Sequence, residues 1–288
     1  MKRVLPNFFI IGAAKAGTTT LWHLLRQHPD IFMPDLKEPW FLSHEDRYER
    51  GWDWYGSLFL PGAGKTAVGE ASSCYCVTTL YPDALRRLGQ YFPQARLIYC
   101  VREPYGRIES AWKQSLGTRR PVPREFSLAV QTYAPLLEGS RYGAALRAYL
   151  EVFSRDQIHI VLFDELARDA MATYRGCLKF LGVDPTYAPG DIGAAKNPSR
   201  TKNIDTLAYR VLRQSRAGEF AAGMAPSAVK RVVSRLLREP MPEAAWTPRL
   251  REYVSSALGD DTRQFIELAG LPRTLWADAT AGRRHEQT

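Results

Sequence analysis

The 288-residue sequence has few cysteines, and their spacing does not suggest a disulfide or metal framework. Its four cysteines, Cys74, Cys76, Cys100 and Cys177, include no Cys-x-x-Cys pair, which argues against a zinc site built on cysteine pairs. Disulfide-stabilised proteins are also usually much shorter than this chain. The histidines show no metal-ligand spacing either. We therefore expect a reducing compartment and no bound metal.

Long hydrophobic runs are also missing. No apolar run approaches the roughly 20 residues that a helix needs to cross a bilayer. The stretch from Phe8 to Ala14 follows Lys2 and Arg3 as in a signal peptide, but Pro6 and Asn7 interrupt the pattern and the apolar core is short. We therefore expect a buried strand here, in a cytoplasmic protein without a membrane span.

The sequence contains no internal repeat, and its 45% apolar and 24% charged residues are typical of a globular protein. Positive charge is concentrated near the C-terminal third. Between Lys196 and Arg238, ten Lys and Arg face only Asp205 and Glu219, a net of +8 in a chain of net +9. Such a segment binds an anion, nucleic acid or an acidic membrane, or forms a solvated helical face.

Short apolar runs alternate with helical patterns along the first two thirds of the chain. This alternation predicts an α/β fold with a mainly parallel sheet flanked by helices, and ligands at the carboxyl ends of the strands. The predicted strands are Phe8–Gly12, Arg96–Val101 and Ile158–Phe163. The predicted helices begin at Gly17 and Pro104 or run over Tyr142–Phe153 and Ala170–Leu181.

The first predicted strand leads directly into a loop that suits phosphate. Gly12 and Gly17 have the spacing of the two glycines in a nucleotide-binding P-loop, where backbone N–H groups and a helix N-terminus surround an oxyanion. A Walker A loop would have lysine where Thr18 stands, and here the lysine is Lys15, inside the loop. The sequence therefore predicts a P-loop-like core with altered handling of a terminal phosphate and Mg²⁺.

Two motifs in this order resemble those of the sulfotransferases that use 3′-phosphoadenosine 5′-phosphosulfate (PAPS). Ala14–Thr19 resembles the family's 5′-phosphosulfate loop. Val101-Arg102-Glu103-Pro104, followed by Arg107 and Ser110, resembles its 3′-phosphate motif. A guanidinium binds phosphate as a fork, and a hydroxyl two turns along the next helix reaches the same group.

Other segments extend the resemblance from about residue 8 to residue 276. Lys37–Phe41 and Trp52–Tyr55 resemble the acceptor side of the Golgi heparan-type sulfotransferases and their bacterial relatives. Gly69–Tyr75 resembles the next block of the family, and Gly270–Trp276 resembles its closing segment. The family often has a lysine after the glutamate of the 69–75 block. Here that position is Ala71, which weakens the expectation of a heparan-like acceptor.

The resemblance implies a set of cofactor-binding residues, with product PAP remaining after transfer. Lys15 would neutralise the leaving oxygen, and a late loop would close over the cofactor. The expected cofactor-binding residues are Lys15, Ala16, Gly17, Thr18, Thr19, Thr20, Arg102, Ser110, Lys196, Ser199 and Arg200. We expect a single domain over 1–288, with a nucleotide-binding core over 8–182 and the closing loop and C-terminal helical part over 183–288.

The acceptor must lose a proton, and a carboxylate can take it. The resemblance implies Glu38 as this base, with Glu70 or His44 as competitors. Shielding by Trp40 and Phe41 would raise the pKa of Glu38. The catalytic candidates are therefore Lys15, Glu38 and Glu70. The expected acceptor-binding residues are Lys37, Trp40, Trp54 and Tyr55, although aromatic residues at this density are equally consistent with core packing.

The resemblance therefore implies transfer of sulfuryl to a hydroxyl, or less readily an amine, of a carbohydrate, glycolipid or natural product. Two alternatives stay open. A P-loop kinase would need Mg²⁺, and the missing Walker lysine argues against it. A polyanion-binding module would use the basic 196–238 segment, but no basic motif interleaved with aromatic residues supports nucleic-acid binding. We expect a soluble bacterial-type enzyme whose oligomeric state the sequence leaves open.

Overall fold

The computed structural model describes residues 4–118, 120–191, 204–205 and 238–277. Five strands form one sheet in the order β2-β3-β1-β4-β5, and all neighbouring pairs are parallel. Two further short strands, β6 and β7, pair antiparallel. The strands are β1 Phe8–Gly12, β2 Ile31–Phe32, β3 Ala67–Ala71, β4 Arg96–Val101, β5 Ile158–Leu162, β6 Ile204–Asp205 and β7 Arg238–Glu239.

Helices follow most of the strands, as a parallel sheet requires for its crossover connections. The α/β prediction is thereby confirmed. The α-helices are α1 Thr18–Leu25, α2 Glu45–Tyr48, α3 Gly51–Ser57, α4 Pro82–Tyr91, α5 Pro104–Gly117, α6 Phe126–Thr132, α7 Pro135–Glu138, α8 Tyr142–Leu150, α9 Phe163–Arg168, α10 Ala170–Leu181 and α11 Pro248–Ala269. Short 3₁₀ turns lie at Leu60–Gly62 and Arg155–Gln157. No helix in these described ranges is long and apolar enough to span a bilayer.

Two predicted boundaries were wrong by a few residues. The helix predicted over Tyr142–Phe153 ends at Leu150, because the next residues turn into a capping box between Ser154 and Gln157 that leads to β5. The strand predicted to reach Phe163 ends at Leu162, since Phe163 is the first residue of α9.

Strand β1 is the centre of the sheet, and its five residues are fully buried. Sequence patterning did not predict its neighbour β3, whose alanines and glycine lack a strong strand signal. Gly69 in β3 is required by close packing, because a Cβ there would lie 2.1 Å from Phe8 Cζ. The register that follows places Phe9 opposite Glu70. The carboxyl end of β3 therefore lies beside the carboxyl end of β1.

Helix α8 is fixed against the long helix α11. The carboxylate of Asp261 on α11 accepts hydrogen bonds from Gly143 N at 3.0 Å and Ala144 N at 2.8 Å, at the N-terminus of α8. A Cβ at Gly143 would lie 2.3 Å from the Asp261 carbonyl oxygen, so the two helices approach closely. The first residue of α8, Tyr142, donates its hydroxyl to the Arg102 carbonyl at 2.9 Å. The packing of α8 thus supports Arg102, the residue that follows β4.

Candidate active site

The loop between β1 and α1 is held from both sides. Ala13 N donates to the Cys100 carbonyl of β4 at 2.5 Å, and a Cβ at Gly12 would lie 2.2 Å from Cys76 Sγ. Gly17 precedes α1 at φ 87°, a conformation that favours glycine. A Cβ there would lie 2.6 Å from Leu166 Cδ2. Both glycines of the predicted P-loop are therefore explained by the space around them.

Within this loop, Lys15 is half-buried and adopts φ 73°, a region that L-residues other than glycine rarely occupy. Ala16 is fully buried. Of the threonines that open α1, Thr18 is buried, Thr20 is half-buried and Thr19 is exposed. The first turn of α1 has no acidic residue. Its N-terminus is consequently suited to an anion, through the N–H groups of its first turn and the helix dipole.

Arg102 lies next to this loop, at the end of β4. Its Nη1 donates to the Lys15 carbonyl at 3.4 Å, and its guanidinium lies 4.4 Å from the ring centroid of Phe163. The neighbouring Glu103 carboxylate accepts from Tyr105 N at 3.0 Å and Gly106 N at 2.7 Å at the start of α5. Burial raises the pKa of Glu103, and these hydrogen bonds and the charge of Arg102 oppose that effect. The structure thus brings two of the predicted cationic residues together at adjacent strand ends.

Two polar residues of the second motif differ in their surroundings. Ser110 is buried on α5, 7% exposed, so it is not a solvent-facing serine. Arg107 is only 2% exposed, and its Nε donates to Ser140 Oγ at 2.6 Å while Nη2 donates to the Leu136 carbonyl. Arg107 therefore holds the α7–α8 connection in place. Burial lowers its pKa.

The turn that carries Glu38 is strained and heavily hydrogen-bonded. Glu38 has φ 62° and Trp40 has φ 57°. The Glu38 Oε1 atom accepts from Lys37 Nζ at 2.8 Å and from Ser73 Oγ at 2.7 Å. The Oε2 atom accepts from Trp40 Nε1 at 2.8 Å and from Ser73 N at 3.3 Å. Four donors thus converge on one partly exposed carboxylate.

These contacts overturn the expected direction of the Glu38 pKa. Burial does raise the pKa, as the neighbouring aromatic side chains suggested, but the charge of Lys37 and the hydrogen bonds from Lys37, Ser73 and Trp40 outweigh it. The net pKa of Glu38 is lowered from its ordinary value of 4.5. Trp40 was predicted to raise the pKa of Glu38, but its indole N–H donates to the ionised carboxylate and therefore lowers that pKa. Glu38 is therefore a carboxylate at neutral pH.

Glu70, the competing carboxyl, lies in β3 and is fully buried. It accepts from the Tyr55 hydroxyl and from Ser72 Oγ, the latter at 2.6 Å. Burial raises the pKa of Glu70 to about 7, against the hydrogen bonds from Ser72 and Tyr55, which lower it. A side chain without exposed surface cannot touch an acceptor in this conformation. Glu70 is therefore poorly placed as the base.

The predicted acceptor-side aromatics separate into core and surface. Tyr55 is fully buried and stacks on Phe41 with ring centroids 4.1 Å apart, which contradicts the prediction that it contacts the acceptor. Trp54 is half-buried, with the Arg50 guanidinium 3.7 Å from its ring centroid. Trp40 is half-buried and its indole N–H donates to Glu38; its contact with the acceptor stays a prediction.

His44 completes this side of the site. Its ring stacks between Trp40, at a centroid distance of 5.2 Å, and Tyr81, at 5.0 Å. Its Nδ1 lies 2.8 Å from Ser43 Oγ. Burial lowers the pKa of His44 from its ordinary value of 6.5.

Sequence reasoning missed two serines that shape this region. Ser72 and Ser73 lie in the 69–75 block, but no role was predicted for either. In the structure, both form hydrogen bonds with the Glu38–Trp40 turn. Both serines directly follow β3, which pairs with β1, and this position would have indicated a role in the site. The signal could not be used because β3 was not predicted. The predicted cofactor residues Lys196, Ser199 and Arg200 lie outside the described residues. Within the described part of the chain, no cluster of three His, Cys, Asp or Glu side chains is suited to a metal ion.

Comparison with known proteins identifies the class. Residues 5–224 match the family model of the sulfotransferase domain. This match covers well over half of the chain, so the protein belongs to the sulfotransferase family and is an enzyme of sulfuryl transfer.

A solved sulfotransferase from Alicyclobacillus acidocaldarius is similar along nearly the whole length. It is 28% identical with a TM-score of 0.68, covering 95% of this chain and 99% of that one. Heparan sulfate glucosamine 3-O-sulfotransferase 5 of Mus musculus is 26% identical over 192 residues, which is 63% of this chain and 54% of that protein. The bifunctional heparan sulfate N-deacetylase/N-sulfotransferase 3 of Homo sapiens is 28% identical over 206 residues, 64% of this chain and 23% of that protein. The chain thus spans about half or less of these curated relatives.

Proposed function

We propose that this sulfotransferase moves the sulfuryl group of PAPS to a hydroxyl, or less readily an amine, of a carbohydrate, glycolipid or natural-product acceptor. The main support for this proposal is that the candidate residues follow three neighbouring strands of the sheet, β3, β1 and β4. The Lys15 loop follows β1, Arg102 follows β4 on one side, and the serines that hold Glu38 follow β3 on the other. Neighbouring strands lie about 4.8 Å apart, so these groups lie side by side at the carboxyl end of the sheet.

The residues present suit the cofactor. Lys15, Gly17 and the first threonines of α1 would hold the 5′-phosphosulfate end, and Arg102 with Ser110 would hold the 3′-phosphate. PAPS supplies an activated sulfuryl group when bound. The proximity of Arg102 to the Lys15 carbonyl supports binding of both phosphates of one nucleotide. Lys196, Ser199 and Arg200 remain proposed contacts from the late loop.

Glu38 is proposed as the general base. An ionised carboxylate is in the protonation state that a base needs, and Glu38 keeps part of its surface exposed where Glu70 has none. As the acceptor oxygen forms its bond to sulfur, Glu38 takes the acceptor proton and the sulfur–oxygen bond to the 5′-phosphate breaks. Lys15 stabilises the negative charge that gathers on that bridging oxygen.

The acceptor class is proposed from the relatives and from the residues around Glu38. The names of the two curated relatives include both O- and N-sulfotransferases of heparan sulfate, which favours a sugar acceptor but not one reacting atom. Lys37 and Trp40 border Glu38 and are the proposed acceptor contacts. Trp54 is also a proposed acceptor contact, whereas the buried Tyr55 is not.

Nucleotide binding is the first test. Thermal unfolding should shift upward with 3′-phosphoadenosine 5′-phosphate and remain unchanged with ATP and Mg²⁺, since the loop lacks the Walker lysine. Transfer of labelled sulfate from PAPS to a panel of sugar, glycolipid and phenolic acceptors then identifies the acceptor. Stabilisation by ATP with Mg²⁺ alone would contradict the proposal and favour a kinase.

A further inference from the structure

The strained turn at Glu38 is attached to the end of β3 at several points. Glu38 N donates to the Ala71 carbonyl at 2.9 Å, and Trp40 N donates to Ser72 Oγ at 3.2 Å. The Ser73 contacts to the Glu38 carboxylate complete the attachment. Left-handed backbone at non-glycine residues persists only where its surroundings enforce it. These bonds are what enforces it here.

Ser72 has a particular place among them, because its hydroxyl is bonded on both sides. The hydroxyl donates its one hydrogen to Glu70 Oε1 at 2.6 Å, and the same oxygen accepts from Trp40 N. A serine hydroxyl has one donor and two acceptor lone pairs. When the Glu70 carboxylate accepts the hydroxyl hydrogen of Ser72, the hydroxyl oxygen still has a lone pair that accepts from the Trp40 N–H. Ser72 is also 1% exposed, so water does not replace either partner.

The chain of contacts continues from the Trp40 backbone to the reacting group. The Trp40 indole Nε1 donates to Glu38 Oε2 at 2.8 Å, so the position of Trp40 determines one of the four hydrogen bonds that keep Glu38 ionised. The chain of hydrogen bonds from Glu70 through Ser72 and Trp40 to Glu38 therefore links a buried carboxyl group to a partly exposed one. The two carboxyl groups do not need to touch each other.

We propose that Ser72 is a positioning residue that, oriented by the buried Glu70 carboxyl, fixes the Trp40 backbone and thereby the Glu38 carboxylate. The proposal rests on the proposed role of Glu38 as base. Ser72 itself touches neither acceptor nor cofactor in this assignment. Its hydroxyl acts on the acceptor side, because it is bonded to Glu70 in β3 and to Trp40 in the Glu38 turn.

Ser72→Ala tests this directly. We expect kcat to fall about tenfold to a hundredfold, since small misplacements of a catalytic group have effects of that size, while affinity for 3′-phosphoadenosine 5′-phosphate changes less than about twofold. The matched control is Ser140→Ala. It removes another fully buried serine hydroxyl, whose partner is Arg107 Nε, and should lower thermal stability while leaving kcat within about threefold.

The decisive comparison uses Glu38→Gln as background. If Ser72 acts through Glu38, Ser72→Ala should lower kcat by less than about twofold once Glu38 is replaced. An equal loss in both backgrounds would assign Ser72 a general structural role and overturn the proposal. A wild-type kcat in Ser72→Ala would overturn it as well.

A substrate-free measurement separates this proposal from the proposed function. Carboxyl ¹³C NMR should show a higher pKa for Glu38 in Ser72→Ala than in the wild type, because the Trp40 indole hydrogen bond is weakened. An unchanged Glu38 titration overturns the role of Ser72, whatever the protein transfers. A wild-type protein that transfers no sulfuryl from PAPS overturns the proposed function, and the Glu38 titration still decides on Ser72.

Discussion

The Lys15 loop and the Glu38 turn both contain residues in the left-handed backbone conformation, and both lie at the carboxyl ends of the strands. They are nevertheless held in different ways. The Lys15 loop runs over a few consecutive residues between a strand and a helix, with glycines at both ends. The Glu38 turn is held by partners more than 30 positions away, at Ala71, Ser72 and Ser73. The anion site is encoded locally, whereas the carboxylate site exists only once β3 is in register.

The electrostatics of the acceptor side show the same dependence on context. Glu38 and Glu70 are both partly or fully removed from water, and burial raises the pKa of each. Four donors, one of them Lys37, reverse this effect for Glu38, while the hydroxyl donors of Ser72, Tyr55 and Tyr75 leave the pKa of Glu70 at about 7. The complete burial of Glu70 and the charged Lys37 donor at Glu38 together separate the pKa values of the two carboxyl groups.

The strongest test of the comparison is Glu38→Gln. We expect kcat to fall by about 10² to 10⁴, the usual contribution of a general base, with nucleotide affinity unchanged because the Lys15 loop is separate. Steady-state kinetics and calorimetry with 3′-phosphoadenosine 5′-phosphate measure the two quantities. Glu49→Gln, on the exposed end of the same segment, is the control. Full activity in Glu38→Gln would contradict the role of Glu38 as base and favour His44, whose ring stacks on Trp40.

Lys15→Ala should affect both quantities. We expect kcat to fall by about 10² to 10³, since a preorganised charge next to the leaving oxygen is lost, and nucleotide affinity to fall by roughly tenfold. Lys179→Ala, at an exposed position of α10, removes the same charge elsewhere and should change neither. A Lys15→Ala enzyme with normal kcat and weak nucleotide binding would limit Lys15 to binding.

Glu70→Gln tests the buried carboxyl through stability. The folded pKa of about 7 lies above the ordinary 4.5, so Glu70 favours the folded state most below pH 4.5 and loses this contribution as pH rises through 7. The change amounts to about 3 kcal/mol in the free energy of unfolding. Urea unfolding at pH 5 and pH 8 should show this loss in the wild type and not in Glu70→Gln. Identical pH dependence in both proteins would contradict the buried, titrating Glu70.

Gly17→Ala should have the smallest effect. A side chain at φ 87° costs about 1–2 kcal/mol of stability, and the Leu166 methyl 2.6 Å from the new Cβ must move. The control is Gly117→Ala at the end of α5, where a Cβ meets no atom within 4 Å and the backbone φ is not positive. Urea unfolding of both variants measures the difference. Equal stabilities would show that the loop adapts without cost.

These features also mark what the sequence could predict. Strands β1 and β4 and the loop with Lys15 followed from contiguous patterns, and Arg102 followed from its place after a buried strand. The burial of Tyr55 and the lowered pKa of Glu38 did not, because both depend on side chains brought in by β3. Strand β3 itself, Ala-Val-Gly-Glu-Ala, has neither the apolar run nor the alternation of an evident strand.

The central position of β1 has a consequence for synthesis of the protein. Both neighbours of β1 come later in the chain, and the second of them ends at Val101, roughly 90 residues after Gly12. At about 5–20 residues per second, a ribosome needs roughly 5–18 s to make that interval. During this time both edges of an entirely apolar strand lack their partners. The nascent chain therefore presents Phe8–Gly12 as a binding segment for chaperones before the sheet can close around it.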